Sequence, residues 1–247
     1  MQENKSEQLA SQVKTLLLNE IQSGKYQSAH RLPPETQLAA EMNVSRTAIR
    51  DALSVMEQDG YVSRRRGTGT IINRHVVNVA VRFDGEKEFL KIVENGGYTP
   101  GGRFLSADVV PADARIAGQL SIAPGSEVIA VGRIVTADGT PLIYCTDYIP
   151  MHLVKNKKYT ENDLKNPIFD FLRNFCGTEG CMDLTGIHAR NADGDVAALL
   201  EIEPGTAVLN FDEVWYDFDG TPILYADEYY REGMITHTIL RKRQEKY

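Results

Sequence analysis

The side chains in this sequence best suited to gripping a partner are arginines set beside small polar residues. Ser45, Arg46, Thr47 and Arg50 lie in a stretch whose apolar members Ile49, Leu53 and Met56 stand at i, i+4 and i+7. That spacing buries one face of a helix and leaves Arg46, Thr47 and Arg50 outward on its first turn and a half. The Ser45 hydroxyl suits the N-cap, and Gly60 suits the stop. Arg64, Arg65 and Arg66 follow, beside Gly67, Thr68 and Gly69. Arginines at a glycine-containing hairpin tip let guanidinium groups and bare backbone approach phosphate closely. A lone arginine on a helix, or a lone basic run, is usually a solvated face. In this order and spacing the two together imply double-stranded DNA, read by the helix and gripped by the hairpin.

The elements that must position these residues are short. From Glu35 to Met42, Leu38, Ala39 and Met42 share one helical face, and Asn43 breaks the pattern before a turn at Val44. Tyr61 to Ser63 reads as a strand, Arg64 to Thr70 as a hairpin tip, and Ile71 with Ile72 as the return strand. Upstream, Leu9, Val13, Leu16, Leu17 and Ile21 predict a first helix, ended by Gly24 and packed on the motif. The expected product is a winged helix-turn-helix over residues 1–74, then a linker over 75–84 and a second domain over 85–247.

The net charge of −7 hides a division: the first 74 residues carry ten Lys or Arg against eight Asp or Glu, so the remainder carries −9. An acidic body with basic residues confined to one helix and one hairpin predicts DNA contact through the N-terminal part alone. The composition, 42 % hydrophobic and 25 % charged, is that of a globular protein. No apolar run approaches the roughly 20 residues of a membrane span, and the N-terminus lacks a signal-peptide core. The expectation is a cytoplasmic protein with no membrane partner. Cys145, Cys176 and Cys181 are odd in number and scattered, which predicts no disulfide framework, and nothing calls for a metal or cofactor. No Ser-His-Asp order or spaced carboxylate pair nominates a catalytic residue, and the five histidines are dispersed. An enzyme that needs only shape and an arginine remains the alternative.

The second domain is internally duplicated. Ala112-Asp113, Ala117, Leu120, Ile122, Pro124-Gly125 and Val128 recur as Ala192-Asp193, Ala197, Leu200, Ile202, Pro204-Gly205 and Val208. Asp138-Gly139-Thr140-Pro141, Tyr144 and Tyr148 recur as Asp219-Gly220-Thr221-Pro222, Tyr225 and Tyr229. Each copy reads as strand, helix, Pro-Gly turn, strand, Asp-Gly hairpin and strand. Two copies sharing one antiparallel sheet predict an α+β domain with helices on one face and quasi-twofold symmetry, whose halves enclose a pocket.

The run Leu32-Pro33-Pro34-Glu35, Leu38-Ala39, Val44-Ser45-Arg46-Thr47, Ile49-Arg50, Ala52-Leu53, Gly60-Tyr61 and Arg66-Gly67-Thr68-Gly69-Thr70 resembles the GntR family of bacterial transcription regulators. The resemblance implies DNA contacts from Arg46, Thr47 and Arg50 on the recognition helix and from Arg66 and Gly67 on the wing, with Ser45, Thr68 and Gly69 beside them. Two departures stand out: Thr36 replaces the usual arginine after Pro-x-Glu, and Pro34 replaces a capping serine, which suggests a proline at the first helical position.

The order of elements from about residue 85 to 243 resembles the UTRA effector-binding domain of the HutC subfamily, which has a chorismate-lyase-like fold. Its best pieces are Arg133, Asp138-Gly139-x-Pro141 with Tyr148-Ile149-Pro150, and Asp219-Gly220-x-Pro222 with Tyr229-Tyr230-Arg231. Such domains bind small metabolites, often anionic, and transmit occupancy to the heads of a dimer. The implied protein is therefore a homodimeric regulator, usually a repressor, on a palindromic operator. The implied pocket is lined by a Gly101-Gly102-Arg103 turn, Arg133, and the two strands carrying Tyr144 with Asp147 and Asp227 with Glu228 and Tyr230. Val135, Cys145 and Asn166-Pro167 depart from the pattern of the sugar-phosphate binders. Asp147, Asp227 and Glu228 either pair with a hydroxylated or amino-bearing ligand or are hairpin surface charges. Arg133, in the apolar strand Val128 to Val135, either faces a cavity or is buried against an acidic partner. That partner is the effector, Asp147 or Glu228; the effector is favoured because the equivalent place in the second repeat is read as Val214.

Overall fold

The computed structural model describes residues 2–65, 67–79, 81–82 and 89–242. The chain divides into two compact units, Met1–Glu86 with His237–Tyr247, and Lys87–Thr236. Residues 237–242 thus fall with the first unit, whereas the sequence reading placed them in the second.

In the first unit, helix α1 (Gln2–Gln22) lies on the motif formed by α2 (Glu35–Met42) and α3 (Arg46–Gln58). Val13, Leu17 and Ile21 meet Leu38, Ile49, Leu53 and Met56 in one core, while Leu16 is turned to solvent. The i, i+4 spacing of the buried set explains the difference, since Leu16 falls beside that stripe. Asn43 ends α2 with a left-handed φ of 52°, and Ser45 Oγ accepts from the Ala48 backbone N–H at 3.1 Å to start α3. Pro34 sits at the N-cap of α2, one residue before the helical position expected for it. Strands β1 (Val62–Arg65) and β2 (Gly69–Ile72) form the hairpin, with Arg64 opposite Thr70 and Arg65 opposite Gly69. The ladder therefore runs further toward the tip than the apolar residues alone suggested. Residues 74–77, at the end of the expected head and the start of the expected linker, form a short helix, α4 (Arg74–Val77). Arg74 ties it to the end of α1 and the turn after it by donating to the carbonyls of Ile21 (2.7 Å), Tyr26 and Ala29 (2.8 Å).

The first described element of the second unit is α5 (Phe89–Asn95). The two repeats are β3 (Pro100–Pro111), α6 (Ala114–Gln119), β4 (Glu127–Ala137) and β5 (Thr140–Pro150), then β6 (Met182–Asn191), α9 (Gly194–Leu200), β7 (Ala207–Tyr216) and β8 (Pro222–Arg231). They form one antiparallel sheet of order β3-β4-β5-β8-β7-β6, joined at its centre by β5 and β8. The equivalence extends to hydrogen bonds. Asp113 and Asp193 cap α6 and α9 through the backbone N–H of Ile116 (2.7 Å) and Val196 (2.9 Å).

The repeats differ at their hairpins. Asp138 and Gly139 both have left-handed φ, 51° and 82°, as a tight two-residue turn needs. The second hairpin spans Asp217 to Thr221, with Asp217 Oδ1 accepting from the Asp219 and Thr221 backbone N–H groups. This extra length shifts the correspondence by one residue. Arg133 pairs with Cys145, and the equivalent of Cys145, Ala226, pairs with Glu213. The counterpart of Arg133 is thus Glu213, another ionisable group, and not Val214.

Helices α6 and α9 cover one sheet face, against Val128, Tyr148, Val214 and Tyr225 on one side and Tyr144, Val208 and Tyr229 on the other. The opposite face is also covered, which the expectation of helices on one face missed. The segment between repeats contains α7 (Glu161–Leu164) and α8 (Ile168–Phe171), and Leu164, Ile168, Phe171 and Leu172 pack on Ile129, Ile149, Trp215 and Leu224.

Candidate functional site

Burial of Ala48, Ile49, Ala52, Leu53 and Met56 fixes how α3 is rotated, so Arg46, Thr47 and Arg50 all stand exposed on its N-terminal turns. Arg50 Nη2 lies 3.2 Å from Glu35 Oε2 of α2, an exposed pair of little energetic weight that a stronger anion can displace. In the hairpin, Arg64 is held back: its backbone N–H and Nε donate to the Glu57 carboxylate at 2.7 and 2.8 Å. Arg65 is exposed, and Arg66 lies outside the described residues. Gly67 and Gly69 both have φ of 82°, and a Cβ built on either meets nothing within 4 Å, so the tip is bare. Thr68 lies between them, partly exposed. The result is a capped helix N-terminus with two arginines and a threonine, beside an open glycine-rich tip. A helix N-terminus flanked by cations is an arrangement that attracts phosphate.

Strand alternation sorts the candidate effector residues onto two faces. On the side covered by α7 and α8, Arg133, Cys145, Asp147, Glu228 and Tyr230 fall together. Arg133 Nη2 lies 3.1 Å from Asp147 Oδ2, and Nη1 reaches the Asn166 carbonyl at 3.5 Å. Cys145 Sγ approaches Asp147 Oδ1 at 3.4 Å, and Tyr230 donates its hydroxyl to Glu228 Oε2 at 2.7 Å. Asp147 and Glu228 are buried, not surface charges. The partner of Arg133 within the chain is Asp147, a possibility the sequence left open but ranked behind a ligand. Its Nε is buried with no hydrogen-bond partner.

Burial pushes the Asp147 carboxyl up, against the pull of Arg133. It pushes Glu228 well above the usual carboxylate range, reinforced by nearby Glu213. The Cys145 thiol is raised strongly by burial and by Asp147 and Glu228. Glu213 itself, which sequence reasoning did not nominate, is pushed up to about 7 by burial and by Asp183. Its signal would have been its place in the repeat, hidden by the one-residue shift.

Tyr144 and Asp227 point the other way. Tyr144 stacks on Tyr229 at 6.1 Å between centroids, and Asp227 binds Arg115 at 3.1 Å and accepts from Asn210 Nδ2 at 2.7 Å. Neither joins Arg133. The Gly101-Gly102-Arg103 segment is not a turn: its residues lie in β3 opposite Thr136, Val135 and Ile134 of β4. Arg103 has its only described ion pair with Glu201, at 3.7 Å. An extended, paired strand cannot fold its N–H groups around an anion, so the expected cradle is absent there.

A helix-turn-helix with a wing and a duplicated sheet domain with a buried polar cluster define a two-module protein of the DNA-reading, ligand-sensing class. Comparison with known proteins agrees. Residues 95–235 match the UTRA domain and residues 9–72 match bacterial regulatory proteins of the gntR family. The chain belongs to the UTRA-domain transcriptional regulators of the GntR family. Membership points to a regulator and not to an enzyme.

Among similar proteins, the HTH-type transcriptional regulator RB1450 of Rhizobium meliloti (strain 1021) is 29% identical over 207 residues, 83% of this chain and 84% of that one. A probable fructoselysine utilization operon transcriptional repressor of Escherichia coli (strain K12) is 28% identical over 238 residues, 95% of each. The crystal structure of the possible transcriptional regulator YydK from Bacillus subtilis superposes with a TM-score of 0.78 over 95% of this chain and 99% of that one, at 19% identity. Among the described residues, no helix is long and apolar enough to cross a membrane, and no group of His, Cys, Asp and Glu suits a metal ion.

Proposed function

We propose that the protein is a cytoplasmic transcriptional repressor that acts as a homodimer on a palindromic operator and whose operator affinity is set by a small metabolite. The carrying observation is the exposed row Arg46, Thr47 and Arg50 on a Ser45-capped helix whose other side is fully buried. In this reading residues 1–74 read DNA, with Arg46 and Arg50 on base edges or phosphate and Arg66 to Gly69 on the flanking backbone. The rest of the first unit supports that head, and the second unit, Lys87–Thr236, binds effector and dimerises.

The effector sits on the Arg133 side of the sheet, near Asp147, Glu228, Tyr230 and the Asn166 carbonyl. Because Asp147 already balances Arg133, the described residues of the site leave Arg133 no surplus charge to attract a strongly anionic metabolite. Arg133 Nε offers one unmet donor, and the carboxyl groups of Asp147 and Glu228 offer acceptors. A polyhydroxylated or amino-bearing molecule satisfies both better than a phosphosugar does. A thermal-shift screen of the whole protein against sugars, amino sugars, sugar phosphates and amines tests this. A compound present at 100 times its Kd adds about 2.7 kcal/mol of stability. Stabilisation by neutral or amino-bearing compounds, lost in Asp147→Asn, supports the assignment; stabilisation by sugar phosphates alone overturns it.

A further inference from the structure

The carbonyls that end α3 are capped from far away in the sequence. Lys242 Nζ donates to the carbonyls of Glu57 and Gln58, the latter at 2.6 Å. Arg82 Nη1 donates to the Asp59 carbonyl at 2.6 Å and lies over the Tyr61 ring. Three consecutive carbonyls at the negative end of the helix thus meet two cations, although α3 has no basic residue in its own last turn. Both cations come from segments at the edge of the first unit. Thr238 bridges to Arg82, its backbone N–H donating to the Val81 carbonyl at 3.3 Å. Leu240 packs on Gly60, whose φ of 83° ends the helix and whose missing side chain leaves the room: a Cβ there would stand 2.4 Å from Leu240 Cδ2.

The same C-terminal segment continues from β8, the strand that carries Glu228 and Tyr230. After β8 the chain turns at Gly233, and Ile235, 8% exposed, is anchored in the second unit close to Gly96. Between anchored Ile235 and bridged Thr238 there are three residue steps, which extend to about 11 Å at most. Residues 235–238 are thus a short covalent connection from the end of β8 to the segment that caps α3.

We propose that residues 237–242 form a strap that couples β8 to the C-terminal end of the recognition helix. The effect of ligand on DNA binding then runs through Leu240 and Lys242 as well as through the connection between the units. This rests on the assignment of the effector site to the β8 side chains, but its test needs no effector. It is a linkage between two sites, measured as the dependence of one perturbation on the presence of the strap.

The experiment is hydrogen exchange with mass spectrometry on four proteins: wild type, Glu228→Gln, a chain ended after Thr236, and Glu228→Gln in that shortened chain. Loss of the two Lys242 bonds should by itself lower protection of residues 55–61 by about tenfold. The coupling predicts more: Glu228→Gln changes protection of residues 55–61 at least about threefold in the full chain and leaves it unchanged in the shortened one. Leu240→Ala with Lys242→Met should reproduce the shortened chain if truncation unfolds the first unit. An equal effect of Glu228→Gln with and without the strap, or no effect in either, overturns the proposal. Failure of the effector assignment is separate, and shows as a metabolite screen in which Glu228→Gln and Asp147→Asn leave every thermal shift intact.

Discussion

Replacing Arg133 by alanine leaves Asp147 in the sheet without its cation. The two side chains are 17% and 5% exposed and 3.1 Å apart, and Asp147 also has Cys145 and Glu228 on its strand face. Removing one partner of a buried pair costs about 3 to 5 kcal/mol. Partial access of water to Arg133 places the expected loss at the lower end, about 3 kcal/mol, or about 6 to 12 °C in Tm for a chain of this length. The loss depends on pH with a definite sign. Without Arg133 the folded-state pKa of Asp147, already raised by burial, rises further while the unfolded value stays put, so the variant's deficit should be larger in an assay at about pH 8 than in one at about pH 5, because acid favours the neutral carboxyl. Urea unfolding followed by the fluorescence of Trp215, the only tryptophan and one that packs edge-on to Phe169 at 4.7 Å, reports on this sheet directly. Arg133→Leu with Asp147→Leu should recover most of the loss, because two apolar side chains remove the stranded charge. A loss below about 0.5 kcal/mol at both pH values would refute the reasoning, since that is the range of an uninvolved surface substitution.

Other expectations follow from the same geometry. Arg46→Ala and Arg50→Ala each weaken specific operator binding by about 1 to 3 kcal/mol, and Arg66→Ala lowers the salt dependence as well, read from titrations at several salt concentrations. Glu213 is held protonated up to about pH 7 in the folded protein, against 4.5 for the free side chain, so it takes away stability as pH rises between those values. Glu213→Gln should remove that slope and raise stability near about pH 8 by at most about 3 kcal/mol; an unchanged pH profile would show the carboxyl to be solvated. Sedimentation of the full chain at tens of micromolar should give a dimer mass, and a strict monomer would count against operator recognition by a symmetric pair.

Much of the head was legible because helical burial is a local property. Ile49, Leu53 and Met56 fix the rotation of α3, and with it the outward placement of Arg46, Thr47 and Arg50, without reference to any distant residue. The duplication was equally legible, since capping aspartates and Pro-Gly turns repeat as sequence. What the sequence withheld was strand parity. Asp147 and Glu228 share a face with Arg133 while Tyr144 and Asp227 do not, and that depends on the partner registers of β4, β5 and β8. A longer second hairpin moved the counterpart of Arg133 from Val214 to Glu213 by one residue, enough to reverse a side chain. Gly101 and Gly102 suggest a turn by type, yet a neighbouring strand claims their backbone. The reach of Lys242 to Glu57 spans 185 residues and leaves no periodic trace at all.

The central claim is that the Ser45-capped end of α3 and the hairpin tip read DNA in a symmetric pair. Selection of bound duplexes from a random-sequence pool by the full-length protein tests it most directly. The account predicts enrichment of an inverted repeat by the wild type, with half-sites separated by about 10 base pairs or a multiple of that. Arg46→Ala and Arg50→Ala should relax the sequence within each half-site. A wild-type pool that stays random, or the same motif at the same strength from both variants, would contradict it.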